Sequence, residues 1–179
     1  FVYQWWRRIR DAVRNFLFPV ECIWCGSGED WLCSACRAKA PRRTQLACFT
    51  CWRPTTDGRW CDACGKKSAL SGIHAAAAYK EPIVQKAIHA LKYQQVSVLA
   101  APLAQLLSAY TGAWPFLFSR ATLFIPVPLH EKKLRDRGYN QAHLLTAHFV
   151  LAYGGVCGCW LLERTRHTKQ QVDCTRDER

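Results

Sequence analysis

Methionine is absent from the 179 residues and position 1 is Phe. We therefore expect the chain to be part of a longer translation product. No uncharged apolar run reaches about 18 residues, which excludes an evident transmembrane helix. In the opening stretch FVYQWWRRIRDAVRNFLF the arginines lie inside the apolar pattern rather than ahead of it, unlike a secretory signal. A cytoplasmic protein is the expectation, with any membrane association arising through partners. Acidic residues are scarce, 13 against 25 Lys and Arg, and the formal charge is +12. Such a surface favours polyanions, either nucleic acid or phosphorylated small molecules, with a bland solubility charge as the alternative.

Half of the residues are hydrophobic and 12% aromatic, too many for a disordered chain. The length suits one core of about 110 residues beside a small stapled module. The staple is legible in the cysteines. Cys22/Cys25, Cys33/Cys36, Cys48/Cys51 and Cys61/Cys64 are four Cys-x-x-Cys pairs separated by 7, 11 and 9 residues. A two-residue gap lets both thiolates of one turn face a single ion, and two such turns complete a tetrahedral four-thiolate site. Eight ligands suit two zinc ions, paired either sequentially or in a cross-braced order. A disulfide framework is the competing reading, and a reducing cytosol disfavours it. Eight thiolates remove eight charges and two Zn²⁺ restore four, so the chain stays basic at +8. Cys157, Cys159 and Cys174 fall outside the pattern and read as ordinary thiols.

Three segments are expected. Residues 1–19 form an amphipathic helix with Trp5, Trp6, Ile9, Val13, Phe16 and Leu17 on one stripe, suited to docking. Residues 20–70 form a double zinc-ribbon-like module, too small to hold a core without metal. Residues 71–179 form an α/β domain with a mostly parallel sheet. Within it we expect a strand at AAAAY, a helix opening at Pro82, a second helix through Leu99–Tyr110 and a buried strand from Ala121 to Pro128. A polar basic loop, a helix from Tyr139 to about Tyr153 and a short strand from Cys159 to Leu162 follow.

The basic loop is the segment most suited to chemistry. A strand ends at Pro128, Lys132, Lys133, Arg135 and Arg137 follow, and Gly138 precedes a helix. Anions bind beyond the carboxyl ends of parallel strands, where amides and helix N-termini face them, and arginine adds bidentate contacts. A solvated charged loop is the bland alternative.

The string PVPLH, followed by Leu134, Arg135, Arg137, Gly138, Tyr139, Asn140 and Gln141, resembles the signature of the ComF family of ComF/GntX-like competence or DNA-utilisation proteins. The leading cysteine module, Leu91-Lys92-Tyr93 and the later Arg164, Arg166, Thr168, Gln171 and Arg179 fall in the family's order. The resemblance implies a type I phosphoribosyltransferase-like domain behind a zinc module, in a protein of DNA uptake. It implies that Leu129 to Gly138 is a pyrophosphate-binding loop. Lys132, Lys133, Arg135, Arg137, Gly138, Asn140 and Gln141 would then be phosphate-site residues. It also implies that Arg164 to Arg179 is a flap over the site. The family's acidic pair and Thr-Thr-Gly loop, which hold phosphoribosyl pyrophosphate and Mg²⁺, have no counterpart here. We expect C-terminal truncation, an inactive fragment, and those two ligands only in a fuller chain.

Three functions compete on these residues. The first is binding of single-stranded DNA through the module and basic loops, with Trp24, Phe49, Trp52 and Trp60 interleaved among Arg37, Lys39, Arg42, Arg43 and Arg53. The bland reading of those aromatics is a tiny core. The second is phosphoribosyl transfer to an unknown acceptor, for which no catalytic base stands out. The third is a docking adaptor for competence helicase or channel proteins through the Trp5 helix.

Overall fold

Proline at the first helical position needs no amide partner, and Pro82 accordingly opens the first long helix of the domain. The computed structural model describes residues 20–168 apart from 29, 42 and 67, together with residue 175. The expected helix over 1–19, Arg42, Gln171, Cys174 and Arg179 lie outside the described residues. Among the described residues two short helices occupy the cysteine-rich part, α1 (Ser34–Lys39) and α2 (Asp62–Gly65). Then come α3 (Pro82–Tyr93), a 3-10 turn (Ser97–Leu99), α4 (Ala100–Ala113), β1 (Leu123–Phe124), α5 (Glu131–Arg137), α6 (Gln141–Tyr153) and β2 (Val156–Cys157).

Helical spacing explains which faces are buried. Ile83, Val84, Ala87, Ala90 and Leu91 form one stripe of α3, and Ala100, Leu103 and Leu106 continue it on α4. Leu91 and Leu99 are almost wholly enclosed, each worth about 1.5–3 kcal/mol of transfer free energy. The same cluster contains Cys22, Leu32, Cys33, Cys36 and Ala40. The first half of the cysteine module is therefore part of the main core.

The architecture is α/β with a small parallel sheet: β1 pairs with β2, Leu123 opposite Val156 and Phe124 opposite Cys157. The α5–α6 connection joins them, and α6 packs along α4. Aromatic edges hold the sheet onto α6, with Phe124 5.1 Å from Phe149 and 5.4 Å from Phe118 between ring centroids.

Four expectations about elements are corrected. Of Ala121–Pro128 only Leu123 and Phe124 join a ladder, and Leu123, Ile125 and Val127 are exposed rather than buried. One partner strand leaves a face and an edge open, and Pro126 and Pro128 have no amide to give. AAAAY contains no named strand, its Ala76 carbonyl accepting from the Arg43 amide at 3.2 Å. The late strand is Val156–Cys157, with a turn following at Cys159. The basic loop is helix α5. His130 Nδ1 accepts from the Lys132 amide at 3.2 Å, Glu131 pairs with Arg135 one turn on at 3.2 Å, and left-handed Gly138 returns its amide to Leu134. Local capping outweighs the polarity that suggested a loop.

Candidate metal centres and the basic segment

The eight module cysteines form two groups in chain order, Cys22/Cys25/Cys33/Cys36 and Cys48/Cys51/Cys61/Cys64, with sulfurs in each group within 4.8 Å of one another. Pairing is sequential, not cross-braced. Tetrahedral zinc with Zn–S near 2.3 Å sets neighbouring sulfurs about 3.8 Å apart. Cys25 and Cys33 lie at 3.7 Å and Cys51 and Cys61 at 3.6 Å. Those separations suit zinc thiolates and are far from a disulfide's bond length of about 2.05 Å. The chain thus carries two four-cysteine zinc sites.

Each site is built from the same two turns. In the first, the amide of Cys22 donates to the Ser27 carbonyl (2.7 Å) and the amide of Gly26 to the Cys22 carbonyl (2.9 Å). Cys48 repeats both bonds with Arg53 (2.9 Å) and Trp52 (2.8 Å). The second turn opens a helix, with Cys33 capping α1 and Cys61 capping α2 in nearly equal extended conformations. The module is therefore a structural duplication, beyond the bare repetition of the cysteine pairs.

The duplicates part at one residue. The first knuckle ends on Gly26 at φ 75°, and the second places Trp52 there at φ 61°. A left-handed conformation is free for glycine and costs another L-residue roughly 1–2 kcal/mol. Trp52 is nonetheless 55% exposed. Its ring lies 5.6 Å from Phe49, and the Arg43 guanidinium sits over it at 4.8 Å. Phe49 in turn meets Trp60 edge-on at 6.4 Å. Trp24 is also exposed and carries Lys86 over its ring at 5.9 Å. Trp24, Phe49 and Trp52 thus do not form the module's core. Arg37 is drawn inward instead, to Asp30 at 3.0 Å and the Leu32 carbonyl at 2.7 Å.

Four thiols packed this closely cannot all ionise without a cation. Burial, followed by Cys25, Cys33 and Cys22, pushes Cys36 up to about 12, and Cys61 followed by burial does the same to Cys64. Others are stabilised as thiolates. The Ser27 hydroxyl, 3.2 Å from the Cys25 sulfur, and its amide lower Cys25 to about 6, and the amides of Cys51 and Cys61 lower Cys48 to about 6. A divalent ion supplies the charge that completes each set.

The basic segment and the start of the expected flap come together. Lys133 Nζ donates to the Thr168 carbonyl at 3.3 Å, and the His130 and His167 rings are 5.0 Å apart. Burial and then the neighbouring His130, Lys132 and Lys133 lower His167. Arg164 bonds the Thr168 hydroxyl, and Lys132 and Arg166 are exposed. Pro128, Leu129, Tyr139, Asn140, His143 and Arg164 line a cavity of about 490 Å³ beyond the carboxyl end of β1.

The other candidates have structural contacts. Arg135 pairs with Glu131, and Arg137 lies 5.3 Å over the Tyr93 ring. Asn140 caps α6, its Oδ1 accepting from Ala142 at 3.0 Å, and its Nδ2 donates to the Val127 carbonyl at 3.0 Å. Gln141 is buried and its Nε2 has no partner among the described residues. Tyr139 donates to the Leu91 carbonyl at 2.7 Å, tying two separated motifs together.

Two features escaped the sequence reading. Trp52 was already a stacking candidate, but its left-handed backbone at the position Gly26 holds in the first knuckle shows only in the structure. Cys157 and Cys159, read as ordinary thiols, stand with His143 so that their donor atoms are within 4.8 Å of one another. A Cys-x-Cys at a strand end was the available signal.

Among the described residues no helix is long and apolar enough to cross a membrane. No solved structure gives a significant match. Residues 13–65 match the double zinc ribbon domain family. The competence protein ComFC of Bacillus subtilis (strain 168) is 23% identical over 124 residues, which cover 65% of this chain and 50% of that protein. The chain thus spans about half the length of this curated relative. Both similarities agree with the ComF-family resemblance carried by the cysteine pairs and the PVPLH segment.

Proposed function

We propose that this chain is a ComF-like protein of DNA uptake that works in the cytoplasm and holds single-stranded nucleic acid on its second zinc ribbon and adjoining basic residues. The observation that carries the reading is Trp52, an exposed indole kept at a backbone position where the sister knuckle has glycine. Strain retained at a residue points to a use for its side chain. Phe49 and Trp52 offer faces on which bases stack irrespective of sequence, and Arg43 adds a cation beside them. The surrounding positive charge supplies phosphate contacts. The similarity to a competence protein gives the context.

The test is anisotropy of short labelled single strands against salt. Affinity should fall steeply as salt rises. Trp52→Gly should weaken binding by about 1–3 kcal/mol, the worth of one stacked base, with zinc content and melting temperature retained. Unchanged affinity in that variant, or no binding at low salt, would defeat the proposal.

Phosphate chemistry on a phosphoribosyltransferase-like domain is the second reading. It draws support from the cavity beyond β1, with Arg164 on its wall, at the place where open parallel sheets take ligands. Phosphoribosyl pyrophosphate with Mg²⁺, titrated calorimetrically into a fuller chain that carries the acidic pair and the Thr-Thr-Gly loop, should show saturable heat that Arg164→Ala abolishes. Docking to competence helicase or channel proteins is the remaining reading, and a salt-insensitive interaction would favour it.

A further inference from the structure

We propose that His143, Cys157 and Cys159 form a third metal site for a zinc-class divalent ion, with three protein ligands and a fourth position open to the cavity beside Asn140 and Arg164. This rests on neither reading of the function above. It follows from where the fold puts an imidazole from the start of α6 beside a Cys-x-Cys pair at the end of β2.

Cys157 ends β2 in register with Phe124, and Cys159 follows two residues later. His143 is in the first turn of α6, where its amide is held by Asn140 Oδ1 at 3.4 Å. The return of β2 along α6 brings these pieces together, and the three donor atoms lie within 4.8 Å of one another. Bound zinc needs about 3.8 Å between sulfurs and about 3.5 Å from sulfur to nitrogen. The donor separations, all within 4.8 Å, are compatible with both.

The donor set selects the metal. Two thiolates and an imidazole prefer a borderline-soft ion such as Zn²⁺, and disfavour Mg²⁺ and Ca²⁺, which take oxygen. Its incompleteness is the contrast with the ribbons. Each ribbon closes its ion with four cysteines, whereas this group offers three ligands, and His143 and Cys159 themselves line the cavity of about 490 Å³. Zinc sites with three protein ligands keep an exchangeable position. Here it would face the space bounded by Glu163 and Arg164, and could take water or an anionic oxygen of a ligand.

The experiment starts from protein with both ribbons loaded, dialysed against a weak chelator and titrated with Zn²⁺ or Co²⁺ under reducing conditions. Wild type should take up a third equivalent, weaker than the first two. Cys159→Ser and His143→Ala should each stop at two. Cobalt in the third site should show a sulfur-to-metal band of about half the intensity per ion seen in a four-cysteine site, since two thiolates replace four. Alkylation mapped by peptide needs no variant: zinc should slow modification of Cys157 and Cys159 several-fold. A total that stays at two, equal alkylation with and without zinc, or a Cys157–Cys159 disulfide persisting in reductant would each overturn the proposal.

Discussion

In the first ribbon Cys22, Cys33 and Cys36 are buried and belong to the cluster that holds α3 to α4, whereas in the second Cys48 is the one buried cysteine and none of the described residues joins that cluster. The coordinating turns are nearly the same in both, down to two backbone hydrogen bonds each. Identical metal chemistry therefore carries different structural weight. The first site is a seam between module and domain. The second is a pedestal that presents Phe49 and Trp52 outward.

The largest expected effect separates the two zincs. Cys36→Ser should remove one zinc and unfold the α3–α4 core with it, since apparent zinc-folding energies are about 10–16 kcal/mol. Cys64→Ser should also cost one zinc, yet leave a cooperative helical melt by circular dichroism. Equal loss of the helical melt in both variants would erase the distinction.

Core truncation should show the same asymmetry on a smaller scale. Leu32→Ala, in the shared cluster, should lower global stability by about 2–5 kcal/mol. Leu46 is buried beside the second site but outside that cluster. Its alanine variant should loosen the second ribbon, visible as faster zinc transfer to a chelator, with little change in the denaturation midpoint. Tyr139→Phe, which removes the bond to the Leu91 carbonyl, should cost about 1 kcal/mol.

At Trp52 the stability change should be small or favourable. Glycine relieves the left-handed strain of roughly 1–2 kcal/mol, offset in part by its greater freedom when unfolded. Thermal melts of Trp52→Gly should therefore match or exceed wild type. A marked drop in the melting temperature would make the indole a structural residue and remove the ground for its role in binding.

The smallest effect concerns protons. Near pH 7 Cys36 and Cys64, at about 12, are protonated in the metal-free sites, while Cys25 and Cys48, at about 6, are ionised. Zinc must displace the former but not the latter, so each ion should release fewer than four protons. Affinity should rise with pH through this range and fall faster once pH drops below about 6, where Cys25 and Cys48 also protonate. Calorimetry in buffers of differing ionisation enthalpy counts the protons at each site.

Spacing made much of this legible. The cysteine pairs announced two zincs, and Pro82 announced a helix start. The basic segment was misread because charge pattern was weighed above the caps at His130 and Gly138, which turn EKKLRDR into a helix. The strand before it was expected to be buried because an apolar run says nothing about how many neighbours a strand will have. The sequential grouping of the cysteines, and the meeting of Lys133 with Thr168, depend on how distant turns fold back, and no local pattern encodes that.

By itself, the sequence determined the donors, their number and the helices that bury apolar stripes, since these follow from side-chain chemistry and from periods of two or 3.6 residues. Tertiary structure alone decided which four cysteines share an ion, that one ribbon is sealed into the core and the other left open, and that His143 on α6 meets Cys157 and Cys159 where β2 returns along that helix. Such choices depend on contacts between residues a dozen or more positions apart, whose energies exist only once the chain has closed on itself.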